Sequence, residues 1–199
     1  MRASYSKAAA FALVGWLASC GGGPNARDPK PRSDAISART LALVQTAQDH
    51  ERQRRYDLAR AAYQKAIAEA PDQPSGAFAG RKMASALLFW GEYADAAHAL
   101  DAVLKLSPDD VSAWHDLGMV RARLGDPAGA ETAFRRSIEL RPAIPLSRLA
   151  LAALLVNQRR FEEALAEYDE LLARDLPERY RNAIHKAQRM IRDEMRFRE

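Results

Sequence analysis

Cysteine is nearly absent from this chain: Cys20 is the single one in 199 residues. No intramolecular disulfide is available, so the fold must rest on apolar packing alone. Long apolar runs are missing too. The run from Ala8 to Ala18 has about 11 residues, against the roughly 20 that a helix needs to span a bilayer. No stretch alternates apolar and polar residues as a half-buried strand does. An excess of one charge is also lacking. There are 30 Lys and Arg against 26 Asp and Glu, a net of +4. Without residues 1–19 the count is 28 against 26, or +2. That balance argues against nucleic acid as a partner, and no basic stripe interleaved with aromatics argues for it.

Catalytic signatures are missing as well. His50, His98, His115 and His185 are scattered, and none lies in H-E-x-x-H. A single cysteine offers no metal cluster, and there is no G-x-S-x-G elbow. Gly21-Gly22-Gly23 is followed by neither Lys-Ser nor Lys-Thr, so it is no phosphate loop. Glu162-Glu163, Asp109-Asp110 and Arg54-Arg55 read as helix caps and solvated faces. The expectation is a protein that is not an enzyme, with no cofactor and no metal.

What is present suits a packed helical protein. Hydrophobic residues make up 48% and charged residues 28%, enough for a core and against wholesale disorder. The chain begins with Arg2 and Lys7, then the apolar run, then Leu17-Ala18-Ser19-Cys20. A short positive region, an apolar stretch and a small-residue close have the proportions of a secretory signal. The last four residues resemble the lipobox of bacterial lipoproteins. That resemblance implies a signal peptide over 1–19 and lipidation of Cys20, which becomes the first mature residue. In lipoproteins of two-membrane bacteria, an Asp after the cysteine often retains the protein in the inner membrane. Gly21 stands there, which favours the outer membrane, with the inner membrane and the cell surface left open. Residues 20–34 read as a tether, since the glycines, Pro24, Pro29 and Pro31 cannot bury a core.

From Ala35 onward apolar residues recur at i, i+3, i+4 and i+7, the period of amphipathic helices. One stretch is written twice at a step of 34. Ala96 and Ala130 keep it, as do Gly91 and Gly125, Leu100 and Phe134, and Pro108 and Pro142. Ala164 and Tyr168 continue it. A fixed period of this size marks a stacked-repeat protein. Repeats are expected over 40–76, 77–110, 111–144 and 145–176, within a region of 35–176. Residues 177–199 supply a capping helix with one apolar stripe. The first repeat is degenerate, with extra residues placed in a loop over 71–76. The fourth has Arg148 at the Trp place and Arg159 at the turn glycine. Asp109 or Asp110, and Asp126 ahead of Pro127, are expected to cap helices. Ala84, Ala96, Gly118, Ala130, Ala152 and Ala164 should let helices approach. Leu87, Leu100, Leu117, Phe134, Leu151 and Tyr168 should fill the space opposite. Trp114 and Phe134 are both expected to be buried.

Trp114, Leu117, Gly118, Ala130, Phe134 and Pro142 match the tetratricopeptide repeat (TPR) pattern W-x2-L-G…A-x3-F…P. The chain therefore resembles the TPR family, over about 140 of its residues. The resemblance implies an all-α, right-handed superhelix of helix-turn-helix repeats that binds a protein or peptide in a concave groove. By position in the repeat, the groove residues would be Val44 and Gln48, Arg81 and Ser85, His115 and Met119, and Leu149 and Ala153. Arg123 and Asn157 lie one turn further on. TPR domains that grip a C-terminal carboxylate use Lys and Asn in the first repeat. Val44 and Gln48 stand there instead, which argues against chaperone docking. Met119, Leu149 and Ala153 read equally as an apolar groove floor and as core, because one sequence does not fix the rotation of a helix. In architecture the chain is similar to TPR lipoproteins of pilus and secretin assembly. That implies an envelope scaffold with a protein partner, anchored through Cys20. The alternative is an adaptor for a periplasmic peptidoglycan hydrolase or protease.

Overall fold

The computed structural model describes residues 36–197. The signal-peptide, lipidation and tether readings on residues 1–34 lie outside them. The described residues hold nine α-helices and no strand. They are α1 (Ala38–Arg52), α2 (Tyr56–Ala68), α3 (Gln73–Trp90), α4 (Tyr93–Leu106), α5 (Val111–Arg123), α6 (Pro127–Leu140), α7 (Pro145–Asn157), α8 (Phe161–Leu172) and α9 (Glu178–Arg196). They fall into two compact units, one ending at Leu140 and one beginning at Arg141.

In the first unit each helix packs on the next in sequence, from α1 through α6. The first helices of successive repeats also touch, α1 on α3 and α3 on α5. Small residues permit this. Ala84, Ala96 and Ala130 are fully or almost fully buried. Gly118 is the tightest case: a Cβ there would lie 2.5 Å from two carbons of the Phe134 ring. Leu87, Leu100, Leu117 and Phe134 fill the remaining space and are shielded from solvent.

The helix starts are chemically marked. Ser37 Oγ accepts from the Thr40 amide at 3.1 Å, and Asp110 Oδ1 from Ala113 at 3.0 Å. Asp126 Oδ1 accepts from Gly129 at 2.9 Å. Each satisfies an amide the helix itself leaves bare. The loop expected over 71–76 is shorter than the sequence suggested. Asp72 Oδ1 accepts from Ser75 at 2.7 Å, and Pro74 sits in the first turn, where a missing N–H costs nothing. The extra residues therefore lengthen α3 instead of looping out.

The turns inside the repeats share one closure. The amides of Arg55, Glu92, Asp126 and Arg160 reach back five residues to the carbonyls of His50, Leu87, Arg121 and Leu155, at 2.9 to 3.0 Å. This 6→1 bond needs a left-handed residue just before it. Gly91 and Gly125 supply it with φ of 83° and 77°. Arg54 and Arg159 supply it in the other two turns with φ of 59° and 63°, without glycine's freedom.

In the second unit α7 packs on α8, and α8 on α9. Ala152, Ala164, Leu151 and Tyr168 are buried. Arg148, at the place of the repeat tryptophan, forms a half-buried ion pair with Glu167 at 2.5 Å. On α9, Tyr180, Ile184, Ala187 and Ile191 are buried on one face, and Gln188 donates to Asp169 Oδ1 at 2.7 Å.

Candidate functional site

The first helices of the repeats carry the expected binding residues. On α3, Arg81, Ser85 and Phe89 follow one another at i, i+4 and i+8, which places them along one face. The Arg81 guanidinium is half-buried and pairs with Asp110 at 3.5 Å. That carboxylate also caps α5, so one Asp fixes both the helix start and the arginine. Ser85 is exposed, and its hydroxyl donates to the Arg81 carbonyl at 3.0 Å. Phe89 is 81% exposed. Its position, one turn beyond Ser85, escaped the sequence reading. The signal was an aromatic in register with Arg81 and Ser85 on a helix whose opposite side is already apolar.

On α5, His115, Met119 and Arg123 form the matching row. His115 is half-buried, with its ring 5.8 Å from that of Phe134. Burial pushes the imidazole down to about 4, so it is neutral near pH 7. Met119 is half-buried. Arg123 is exposed, donates to the Tyr93 hydroxyl at 3.3 Å and lies 5.9 Å from the centre of that ring. Gln48 on α1 is half-buried. These first helices thus carry donors, a neutral imidazole, a thioether and one bare aromatic ring.

Other expected residues fall elsewhere. Val44 is core, at 4% exposure. Leu149 and Ala153 are buried, which decides for core over groove floor, whereas Asn157 is exposed. Trp114 corrects a second expectation. It is only half-buried, because its indole N–H reaches out to the Pro108 carbonyl at 2.8 Å. The buried aromatic of that repeat is Phe134 alone.

A second feature was not expected. Between α2 and α4, over α3, opens a cleft of about 440 Å³. Gly76, Gly80 and Met83 form its floor, and Ile67, Ala99 and Leu106 are among its walls. Beside it, the Trp90 and Tyr56 rings lie 5.2 Å apart, tilted by 51°, and Arg60 bridges Glu92 and Asp95. Its small lining residues, Gly76, Gly80 and Ala99, stood outside the sequence reading, because spacing does not say which helix pairs part. Among the described residues no cluster of three or more His, Cys, Asp or Glu could hold a metal ion. Nor is any of their helices long and apolar enough to cross a membrane.

A tetratricopeptide repeat family model matches residues 44–79 and 81–145, just over half of the chain. The chain belongs to the tetratricopeptide repeat family. One sequence relative and two solved structures are similar to this chain. BBSome complex member BBS4 of Bos taurus is 32% identical over 80 residues, which are 40% of this chain and 15% of that protein. The chain thus spans a small part of that relative. The crystal structure of MamA protein superposes with a TM-score of 0.64 at 19% identity, covering 78% of this chain and 85% of MamA. The first TPR of Spaghetti (RPAP3), solved bound to the HSP90 peptide SRMEEVD, gives 0.53 at 22% identity, covering 66% and 97%. TPR folds act as protein-interaction scaffolds, and this TPR chain presents its polar and aromatic rows on the first helices of the repeats.

Proposed function

We propose that this TPR protein is an interaction scaffold of the bacterial envelope. It is held at the outer membrane through a lipidated Cys20, faces the periplasm, and serves an assembly of the pilus or secretin type. Leu17-Ala18-Ser19-Cys20 supports the anchor. The observation that carries the binding role is Phe89, 81% exposed beside Arg81 and Ser85 on the first-helix face. An aromatic left bare next to donors is the composition of a binding hot spot. The ligand that suits it is an amphipathic helix or extended segment with an apolar anchor and an acidic or hydroxylic end.

The test is a pull-down from membrane extract with the full chain, against the same chain carrying Arg81→Ala, Phe89→Ala and Met119→Ala. Circular dichroism confirms that both are helical. A secretin-class outer-membrane protein captured by the first and lost by the second supports the proposal. Capture of a peptidoglycan hydrolase or protease assigns the chain to enzyme regulation instead. Equal capture by both chains removes this face from the binding role.

A further inference from the structure

Helix α9 carries a charge pattern found nowhere else among the described residues. Its segment 178–197 holds six Lys and Arg against three Asp and Glu, a net of +3. Arg181, His185, Arg189, Arg192 and Arg196 recur at steps of four, four, three and four, which aligns them on one face. All five are exposed, and so is Lys186 beside them. The row from Arg181 to Arg196 is about 22 Å long at 1.5 Å per residue. Arginines elsewhere are largely matched with acids: Arg39 with Glu69, Arg81 with Asp110, Arg121 with Asp101 and Arg136 with Glu139. On α9 no described carboxylate pairs with Arg181, Lys186, Arg189, Arg192 or Arg196. Of the acids on α9, Glu178 and Asp193 are exposed and pair with none of these cations. Asp169 of α8 takes the Gln188 amide, and Glu194 takes Arg159. Asn182, His185, Gln188, Arg189 and Arg192 line a shallow polar hollow of about 500 Å³ on the same face.

We propose that this face of α9 rests on an anionic phospholipid surface, with headgroup phosphates seated along the arginine row and in the hollow. Charge complementarity requires an anionic partner. The shape of the face selects lipid over protein. The row is straight, and within 178–196 no large apolar side chain is exposed that could anchor a protein partner. A headgroup layer needs no such anchor, only closely spaced cations. At the end of the row Phe197 is 89% exposed, an aromatic placed where an interfacial ring would sit. The apolar face of α9 is already spent on its own unit, so the contact is peripheral, electrostatic and sensitive to salt. It does not depend on Cys20, and its test removes that residue.

The experiment uses the full chain carrying Cys20→Ser. It is sedimented with vesicles of phosphatidylcholine and with vesicles containing about one third phosphatidylglycerol. Arg2 and Lys7 beside the apolar run also favour an anionic vesicle, so the quantity read is the part of the preference that the α9 substitutions remove. A binding preference for the anionic vesicles is expected, lost in about 1 M salt. Arg181→Glu, Arg189→Glu and Arg192→Glu together should reduce it about tenfold or more. The corresponding three Gln substitutions should give a smaller loss. A control with Lys65→Glu, Lys82→Glu and Lys105→Glu changes net charge equally and should keep the preference. Equal losses in stripe and control variants would overturn the proposal, as would equal binding to both vesicles. Binding to polyglutamate without binding to anionic vesicles would give the face to an acidic protein and overturn it as well.

Discussion

At the scale of single residues, Gly118 and Phe134 show how the repeat pattern acts. A methyl group on Gly118 would lie 2.5 Å from a ring that is itself 1% exposed and cannot move aside. Gly118→Ala should therefore cost roughly 1–3 kcal/mol despite the better helix propensity of alanine, as read from urea unfolding. His115 makes a second residue-scale prediction. Its folded-state value of about 4 lies below the ordinary 6.5, so the unfolded chain binds the extra proton first. The stability this contributes is full above pH 6.5 and drains away as pH falls toward 4. Unfolding free energies from urea titrations at pH 7 and pH 4.5 should differ by on the order of 2 kcal/mol more in the wild type than in His115→Gln. An equal acid loss in both would place the cause in the carboxylates.

At the scale of elements, the turns inside the repeats compare two solutions to one backbone requirement. Glycine adopts the left-handed conformation freely, whereas Arg54 and Arg159 hold it against their own Cβ atoms. Arg159→Gly should stabilise the chain by roughly 0.5–1 kcal/mol in thermal unfolding, the relieved strain exceeding the added entropy of the unfolded glycine. The lost pair with Glu194 is 3.5 Å long and on the surface, so it subtracts little. Elements also show where the sequence was legible. The step of 34, the turn glycines and the aspartate caps placed most helix ends within a few residues. Between Pro71 and Pro108 the step is 37, and a loop was the simpler expectation for the extra residues. Asp72 and Pro74 together start a helix as well as they interrupt one, and packing chose the helix. The face of α7 was illegible for another reason. Eight of its residues are buried, Leu149 and Ala153 among them, and a helix apolar nearly all round has no periodicity that reveals its orientation. Trp114 shows the limit of residue type as a guide, since its polar edge outweighed its size.

At the scale of the whole molecule, charge is distributed in a way that its sum conceals. A net of +4, or +2 without residues 1–19, argued against nucleic acid, yet α9 concentrates unpaired cations on one side. The run Arg-Asn-Ala-Ile-His-Lys-Ala-Gln-Arg was visible in the sequence, but a count over the chain averages it away. The anchor reading adds a prediction at this scale. With Cys20 intact the protein should stay in the membrane fraction through a wash in about 1 M salt, because buried acyl chains are indifferent to screening. Cys20→Ser should be released by the same wash. Retention of the variant would place the anchor elsewhere.

Neighbour-on-neighbour packing also has a kinetic meaning. In the first unit each helix meets the one before it, and the longest step among the principal contacts skips a single helix. Little chain entropy is spent closing long loops before contacts begin to reward it. Such low contact order belongs to proteins that fold in microseconds to milliseconds. Any adjacent pair of repeats can nucleate, and growth proceeds from there. A chain built this way can cross a barrier as an unfolded thread and reassemble without waiting for its far end to arrive.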